Sequence, residues 1–247
     1  MSDGFNNLKQ TLKMQRRKVK VEDVMEFLGP EYGPVNWYTR YTPIEELVYT
    51  ILSQHTSDLN SERAFKSLMD KFASMEEIAD APVQEIENAI RRGGLAKQKA
   101  PRIKDVLNQV LLENGNFDLS FLREMPLSEA KTWLKRLNGI GPKTAAIVLC
   151  FSLGLPAMPV DTHIYRVSQR LKLIGAKGSV DKAHHILENK VAPRDVFPFH
   201  MYLIQHGRQV CKAQRPLCDV CVLRERCPSK PGLDRLLSRA KKSRKPK

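Results

Sequence analysis

Four cysteines near the end of the sequence have the residue type and spacing of a soft-metal site. Cys211, Cys218, Cys221 and Cys227 follow the pattern C-x6-C-x2-C-x5-C, and only Cys150 lies outside this group. Thiolates bind soft metals, and four of them can complete a tetrahedral site or hold an iron–sulfur cube. Structural zinc usually takes two C-x2-C pairs, whereas here one such pair lies between two single cysteines. The spacing favours a [4Fe–4S] cluster, with zinc or two disulfides as the alternatives.

A glycine-containing turn places a lysine at the start of a helix. Residues 137–146 read L-N-G-I-G-P-K-T-A-A. Gly139 and Gly141 permit positive φ and a close backbone approach, and Pro142 suits the first position of a helix. The unpaired N–H groups of that helix start could grip a nucleic-acid phosphate without reading its sequence. An ordinary turn between two helices is the alternative.

Lys143 and Asp161 are the candidate catalytic side chains. A lysine at a helix N-terminus is electrostatically misplaced, and a neutral amine is a nucleophile that can form a Schiff base. Asp161 begins the next helical stretch, in V-D-T-H-I-Y-R-V, where it fits the N-cap position. A carboxylate fixed there could accept a proton or stabilise positive charge on a sugar. A solvated lysine and a purely structural cap are the alternatives.

Helical patterns dominate the sequence and β-type alternation is scarce, so we predict an all-α fold with short loops. Thr42 is the expected N-cap of a helix whose first residue is Pro43. Gly29-Pro30 is expected to stop the first helix, and Asn114-Gly115 to end another. The predicted helices cover residues 21–28, 43–52, 61–72, 75–79, 83–91, 99–112, 126–137, 143–153, 161–173 and 181–189.

The charge indicates a polyanionic partner and is concentrated at the two ends. The 247 residues carry a formal net charge of +14, of which residues 230–247 contribute +7 and residues 1–22 contribute +4. Such tails raise nucleic-acid affinity without supplying chemistry, or merely aid solubility. The sequence has no run of eighteen apolar residues and no secretory apolar core. We therefore expect no membrane association and an intracellular location, in the cytoplasm or nucleoid if the source is a prokaryote.

The chain resembles the helix-hairpin-helix DNA glycosylase superfamily, in particular the endonuclease III-like enzymes. The resemblance rests on the glycine turn, on V-D-T-H-I-Y-R-V, and on the cysteine group preceded by His206-Gly207-Arg208. These motifs occur in the order typical of the family, and the resemblance covers about residues 21–229. It implies two α-helical lobes with a DNA-binding cleft between them.

The resemblance also implies domain boundaries. A six-helix barrel is expected over residues 38–156, with its helix-hairpin-helix motif at about 134–150. The iron–sulfur lobe is expected to combine residues 21–37 with 157–229. Flexible basic tails are expected over residues 1–20 and 230–247.

By this resemblance, Lys143 matches the catalytic lysine, Asp161 the catalytic aspartate, and the four cysteines the ligands of a [4Fe–4S] cluster. The implied protein is a monomeric base-excision enzyme acting on double-stranded DNA that contains damaged bases or abasic sites. It removes the base, expected to be an oxidised pyrimidine, through a lysine Schiff base and then cuts the strand by β-elimination. The alternatives are a mismatch or uracil glycosylase of the same fold and a non-catalytic iron–sulfur DNA-binding protein.

Several expected DNA contacts depart from the family pattern. His55 stands where a glutamine commonly fills the gap left by the flipped base, and Gln54 where alanine is common. Leu95 matches a wedge that enters the opposite strand, with a core leucine as the alternative. Ala96 stands where an aromatic residue is frequent. The other expected DNA contacts lie in the hairpin and the cysteine loop: Gly139, Ile140, Gly141, Thr144, Lys212 and Arg215.

Overall fold

The computed structural model describes residues 19–175 and 178–230. These residues form helices and connecting turns, and no strand occurs within those two ranges. The all-α prediction is therefore confirmed. The two expected tails, residues 1–20 and 230–247, lie almost wholly outside the described residues.

The helices are numbered here in chain order. They are α1 (Val21–Tyr32), α2 (Pro43–Ser53), α3 (Asp58–Lys71), α4 (Met75–Asp80), α5 (Val83–Ile90), α6 (Ala96–Asn114), α7 (Leu127–Arg136), α8 (Pro142–Ile147), α9 (Thr162–Arg170), α10 (Val180–Glu188) and α11 (Val196–Gln209). Short 3-10 turns occur at Arg91–Gly93, Ser120–Arg123, Pro193–Asp195 and Cys218–Val220, and a π turn at Val148–Ser152 extends α8.

Residues Trp37–Pro159 form one compact unit, called here the hairpin unit. Its central helix is α2, which contacts α3, α6, α8 and the π turn. Leu47, Val48 and Ile51 of α2 are fully buried because this helix is enclosed by its neighbours. Thr42 caps α2 as predicted: its side chain and that of Glu45 form a capping box, with Pro43 at the first position.

The described residues before Trp37 and after Pro159 form a second compact unit, called here the cysteine unit. Its central helix is α11, which contacts both α1 and α9. Phe199 and Leu203 of α11 are fully buried. A Cβ at Gly207 would lie 2.9 Å from the His163 Cβ, so α9 and α11 approach closely only because this residue is glycine.

Two predictions about helices are wrong. The first helix does not stop at Gly29-Pro30 but continues to Tyr32, where Gly33 ends it with a φ of 79° and donates its N–H to Gly29 O. A late proline costs α1 only one backbone bond near a frayed end. Helix α11 was not predicted at all. Its run of aromatic and aliphatic residues is buried on most sides, so it lacks the one-sided periodicity that marks a surface helix.

No helix among the described residues combines the length and apolar character that a membrane crossing requires.

Candidate active site and cysteine cavity

The glycine turn forms the predicted helix–hairpin–helix connection. Helix α7 ends at Arg136, and the Ile140 N–H then donates to Leu137 O across 3.1 Å. Gly139 has a φ of 77°, and a Cβ there would lie only 3.0 Å from the Arg102 Nε. Backbone conformation and close packing therefore both require glycine at this position.

Lys143 is the second residue of α8 and is exposed to solvent. Pro142 occupies the first position of the helix, as predicted. The Lys143 side chain makes no hydrogen bond or ion pair with any described residue. Its amine is therefore available to an incoming electrophile, in keeping with a nucleophilic role.

Two of the residues expected to contact DNA in the hairpin are buried. The side chains of Ile140 and Thr144 are only 5% and 4% exposed, and Ile140 belongs to the core of the hairpin unit. The helices that fold the hairpin bury these side chains, so the contact expected at these residues is one made by their backbone. The backbone of Gly139 and Gly141 remains accessible at the turn.

Asp161 is the N-cap of α9 in the cysteine unit. Its Oδ1 accepts a hydrogen bond from the Ile164 N–H across 2.7 Å, as the sequence predicts for a cap. Its Oδ2 has no hydrogen-bond partner within the described part of the chain. One oxygen therefore fixes the orientation of the carboxylate, and the other remains free to act on a substrate.

His55 and Leu95 lie in two exposed turns of the hairpin unit, and both have left-handed backbones, with φ of 55° and 54°. Non-glycine residues adopt this conformation uncommonly. Leu95 is 45% exposed, so it is not a core leucine. Gln54 is half-buried, and its Oε1 accepts a hydrogen bond from Arg102 Nη1 across 2.8 Å.

The four clustered cysteines line one cavity of about 220 Å³ in the cysteine unit. All four are free thiols, which argues against the two-disulfide alternative. Within the described ranges, no group of three or more His, Cys, Asp or Glu side chains could hold a single metal ion. Four thiols that line one cavity are of the residue type that binds soft metals.

Polar side chains lie beside two of these sulfurs. Arg170 Nη1 lies 3.3 Å from the Cys211 Sγ. His206 Nε2 lies 3.5 Å from the Cys221 Sγ, while Tyr32 Oη lies 3.1 Å from Nδ1 of the same ring. The Arg170 N–H directed at the Cys211 sulfur favours the thiolate form that metal ligation needs. Burial raises the pKa of the Cys221 thiol to about 11, so metal binding must displace its proton.

Arg166 and Arg170 hold the start of the loop that joins Cys211 to Cys218. Arg166 Nε donates to Cys211 O across 3.0 Å, and Arg170 Nη1 donates to Lys212 O across 2.7 Å. The side chains of Lys212 and Arg215 are exposed on this loop. The loop thus presents positive charge to solvent from a backbone that is fixed at its base.

The sequence and the fold are similar to those of known proteins. Residues 48–193 match the model of the HhH-GPD superfamily of base excision DNA repair proteins. The chain belongs to this superfamily. A protein of Arabidopsis thaliana, provisionally assigned as a DNA glycosylase, is 38% identical over 67% of this chain, and the alignment spans 56% of that protein. Endonuclease III of Thermotoga maritima is 33% identical over 75% of this chain and 82% of its own length.

A solved structure shows the same similarity at the level of the fold. An endonuclease III trapped as a covalent intermediate with DNA, in an estranged-adenine complex, superposes with a TM-score of 0.71 at 29% identity. The superposition covers 87% of this chain and 95% of that one. The present HhH-GPD protein is therefore a base-excision DNA glycosylase similar to endonuclease III.

The HhH-GPD match includes Lys143 and Asp161 but ends before the cysteine group. Sequence reasoning located those two residues because each is marked by its local helix start. It missed Lys99, Arg102 and Arg170, each of which has a hydrogen-bond partner more than 40 residues away in the chain. No local pattern identifies such side chains, since only the folded chain brings their acceptors within reach.

Proposed function

We propose that this glycosylase is bifunctional: it excises oxidised pyrimidines from duplex DNA and then cleaves the strand at the resulting abasic site. Lys143 is the proposed nucleophile, and Asp161 the proposed carboxylate that assists it. The trapped endonuclease III–DNA intermediate supports covalent chemistry in a protein of this fold.

The observation that carries the proposal is the exposed, unpaired environment of the Lys143 side chain. Its amine is exposed, it begins the helix after the hairpin, and it has no partner among the described residues. A protein that only gripped phosphate could use the hairpin backbone and would not need a free amine at this point. An unpaired amine beside a phosphate grip is what attack on a neighbouring sugar carbon requires.

The chemistry can be written step by step. The neutral Lys143 Nζ attacks C1′ of a nucleotide that has been flipped out of the duplex. A carbon–nitrogen bond forms, the glycosidic bond breaks, and the base leaves with the bonding electrons and takes up a proton. Loss of the amine proton and opening of the sugar ring give an imine. Removal of a C2′ proton then expels the 3′ phosphate, and water hydrolyses the imine to regenerate the amine.

Asp161 is proposed to act during base departure. Its Oδ1 is committed to the Ile164 N–H, whereas Oδ2 can accept the proton that makes the Lys143 amine neutral. The same carboxylate can stabilise the positive charge that develops on the sugar. Both tasks need a carboxylate held in one orientation, and the N-cap bond provides it.

Cys211, Cys218, Cys221 and Cys227 are proposed to ligate a [4Fe–4S] cluster. The residues present fit such a group: four free thiols line one cavity, and Arg170 donates a hydrogen bond to one of the sulfurs, Cys211 Sγ. When bound, the cluster supplies iron–thiolate bonds that close the loop containing Lys212 and Arg215. Those two side chains are then the proposed phosphate contacts of the cysteine unit.

The remaining proposed DNA contacts lie in the hairpin unit. His55 and Leu95 are exposed at turn tips, where they could enter the space left by a flipped nucleotide and the opposite strand. The backbone N–H groups around Gly139 and Gly141 are proposed to hold a phosphate. Gln54, bound to Arg102, supports this surface.

The proposal is tested by borohydride reduction in the presence of duplexes that differ only at one base pair. The set contains an abasic site, an oxidised pyrimidine, uracil opposite guanine, and thymine opposite guanine. We expect covalent adducts with the abasic and oxidised-pyrimidine duplexes. Excision of uracil or thymine without an adduct would instead identify a monofunctional mismatch glycosylase.

A further inference from the structure

Lys99 is a buried lysine on α6. Its side chain is only 4% exposed, and Nζ donates to Leu52 O across 2.6 Å and to Gly93 O across 3.3 Å. No carboxylate of the described chain forms an ion pair with it. Burial lowers the pKa of Lys99, as expected for a cation taken from water without a counter-charge. An apolar residue could fill the same space without the cost of burying a polar group. We therefore attribute the presence of the amine to its hydrogen bonds with the two carbonyls.

The two carbonyls belong to different turns. Leu52 is near the end of α2, three residues before His55, and Gly93 ends a 3-10 turn two residues before Leu95. Through one amine, Lys99 therefore binds the backbone just before both turns. The tips of these turns carry the two side chains that are proposed to enter the DNA.

Both tips are strained, and the two turns lie close together. His55 and Leu95 have left-handed φ values, which persist in non-glycine residues only where the surroundings enforce them. A Cβ on Gly94 would lie 3.9 Å from Thr56 Oγ1. The two turns are therefore also close together at a point beyond the carbonyls that Lys99 binds. On the other side, a Cβ on Gly93 would lie 2.7 Å from the Ala64 Cβ, which leaves that turn no room to move towards α3.

We propose that Lys99 is a positioning residue that fixes the distance between the turn tips at His55 and Leu95. By fixing that distance, Lys99 helps these two side chains to open the stacked bases of the DNA duplex. This inference rests on the proposed function, because His55 and Leu95 are assigned to the DNA there. Lys99 itself is buried and touches no substrate. Its removal should impair nucleotide flipping in duplex DNA but not attack by Lys143 on a sugar that is already accessible.

The test compares Lys99→Met with Val110→Ala, a control that removes buried volume from the same helix away from both turns. Flipping is followed by the fluorescence of 2-aminopurine placed opposite an abasic site. We expect Lys99→Met to lower kcat/KM on a duplex substrate by about 10- to 100-fold and to reduce the fluorescence change, since misplacements near 1 Å have effects of this size. Trapping on a single-stranded abasic oligonucleotide should change by no more than about twofold, because no second strand must be opened.

A double-mutant cycle in the otherwise unchanged protein tests whether the two tips act together, and this test does not need Lys99→Met to fold. His55→Ala, Leu95→Ala and the double variant are compared on the same duplex. If Lys99 couples the tips, the combined loss of kcat/KM departs from the product of the two single losses. In a folded Lys99→Met background the losses should multiply.

Four results separate the possibilities. Multiplicative losses in the unchanged protein overturn the positioning role, as does a Lys99→Met variant with normal flipping. Equal losses on single-stranded and duplex DNA also overturn it, since they would indicate a general structural role. If the unchanged protein forms no adduct with abasic DNA, the proposed lyase function fails, while the fluorescence signal still reports on Lys99.

Discussion

Arg102 joins Gln54 to the helix–hairpin–helix turn. Its Nη1 donates to Gln54 Oε1 across 2.8 Å. A Cβ on Gly139 would lie 3.0 Å from the Arg102 Nε, so the guanidinium packs against this glycine. The turn that ends α2 and the hairpin are thus held by one guanidinium from α6. Gln54 departs from the residue common in the family at this position, and Arg102 gives it an intramolecular role.

We predict that Arg102→Met weakens binding to lesion-containing duplex DNA more than Arg63→Met does. Both variants remove one exposed arginine charge from the hairpin unit, but only Arg102 holds Gln54 and packs on the hairpin. The difference should be about 1 kcal/mol, the usual net contribution of one hydrogen bond. Equilibrium titration of labelled duplexes measures it. If Gln54→Ala causes the same further loss with and without Arg102, the two side chains act independently and the prediction is wrong.

The cap and the proposed catalytic role of Asp161 can be separated. Asp161→Asn keeps an oxygen for the Ile164 N–H, so the free energy of unfolding should change by less than about 0.5 kcal/mol. The same change removes the carboxylate, and base excision should slow by about 10²- to 10⁴-fold. Asp161→Ala should in addition lose about 1 kcal/mol of stability. Denaturant unfolding and single-turnover excision are the two measurements. An Asp161→Asn variant with undiminished excision would leave Asp161 as a cap only.

Arg40, whose side chain is partly exposed, forms an ion pair with the fully buried Glu46 in the hairpin unit. Glu46 is fully buried, and it receives hydrogen bonds from Arg40 Nη2 across 2.5 Å and from Nε across 3.2 Å. We predict that Arg40→Met lowers the free energy of unfolding by about 3 kcal/mol, because it leaves a buried carboxylate unpaired. Lys66→Met, which breaks the exposed pair with Asp70, should cost less than about 1 kcal/mol. Equal effects in urea titrations would show that the burial of Glu46 does not matter.

The cysteine cavity predicts a specific metal content. Purified protein should contain about four iron and four sulfide per chain and show the visible absorption of an iron–sulfur protein. Serine in place of Cys218 should reduce the iron content, whereas Cys150→Ala should not, because Cys150 is buried in the hairpin unit and does not line the cavity. Colourless protein with one zinc per chain would overturn the cluster assignment.

Features encoded within a few residues could be read from the sequence. Lys143 and Asp161 are marked by a glycine turn and by a helix start, and the structure places both at the helix starts that were predicted. The cysteine spacing likewise anticipated four thiols around one cavity. The burial of Ile140 and Thr144 was not anticipated, because exposure depends on how the hairpin packs and not on its motif.

Features that depend on distant contacts could not be read in this way. Arg102 reaches Gln54 across 48 residues of sequence, and Lys99 reaches Leu52 across 47. Helix α11 escaped prediction because burial on most sides removes amphipathic periodicity. Burial and long-range bonding are properties of the folded chain, so the residues that brace the site became visible only with the structure.

The central claim, that Lys143 is the nucleophile, is tested most directly by locating the adduct. The protein is incubated with an abasic duplex and borohydride, digested, and the modified peptide is identified by mass spectrometry. We predict that the reduced sugar is attached to Lys143 Nζ and that Lys143→Ala abolishes the adduct while the variant still binds DNA. An adduct on another amine, or none at all with the unchanged protein, would contradict the account.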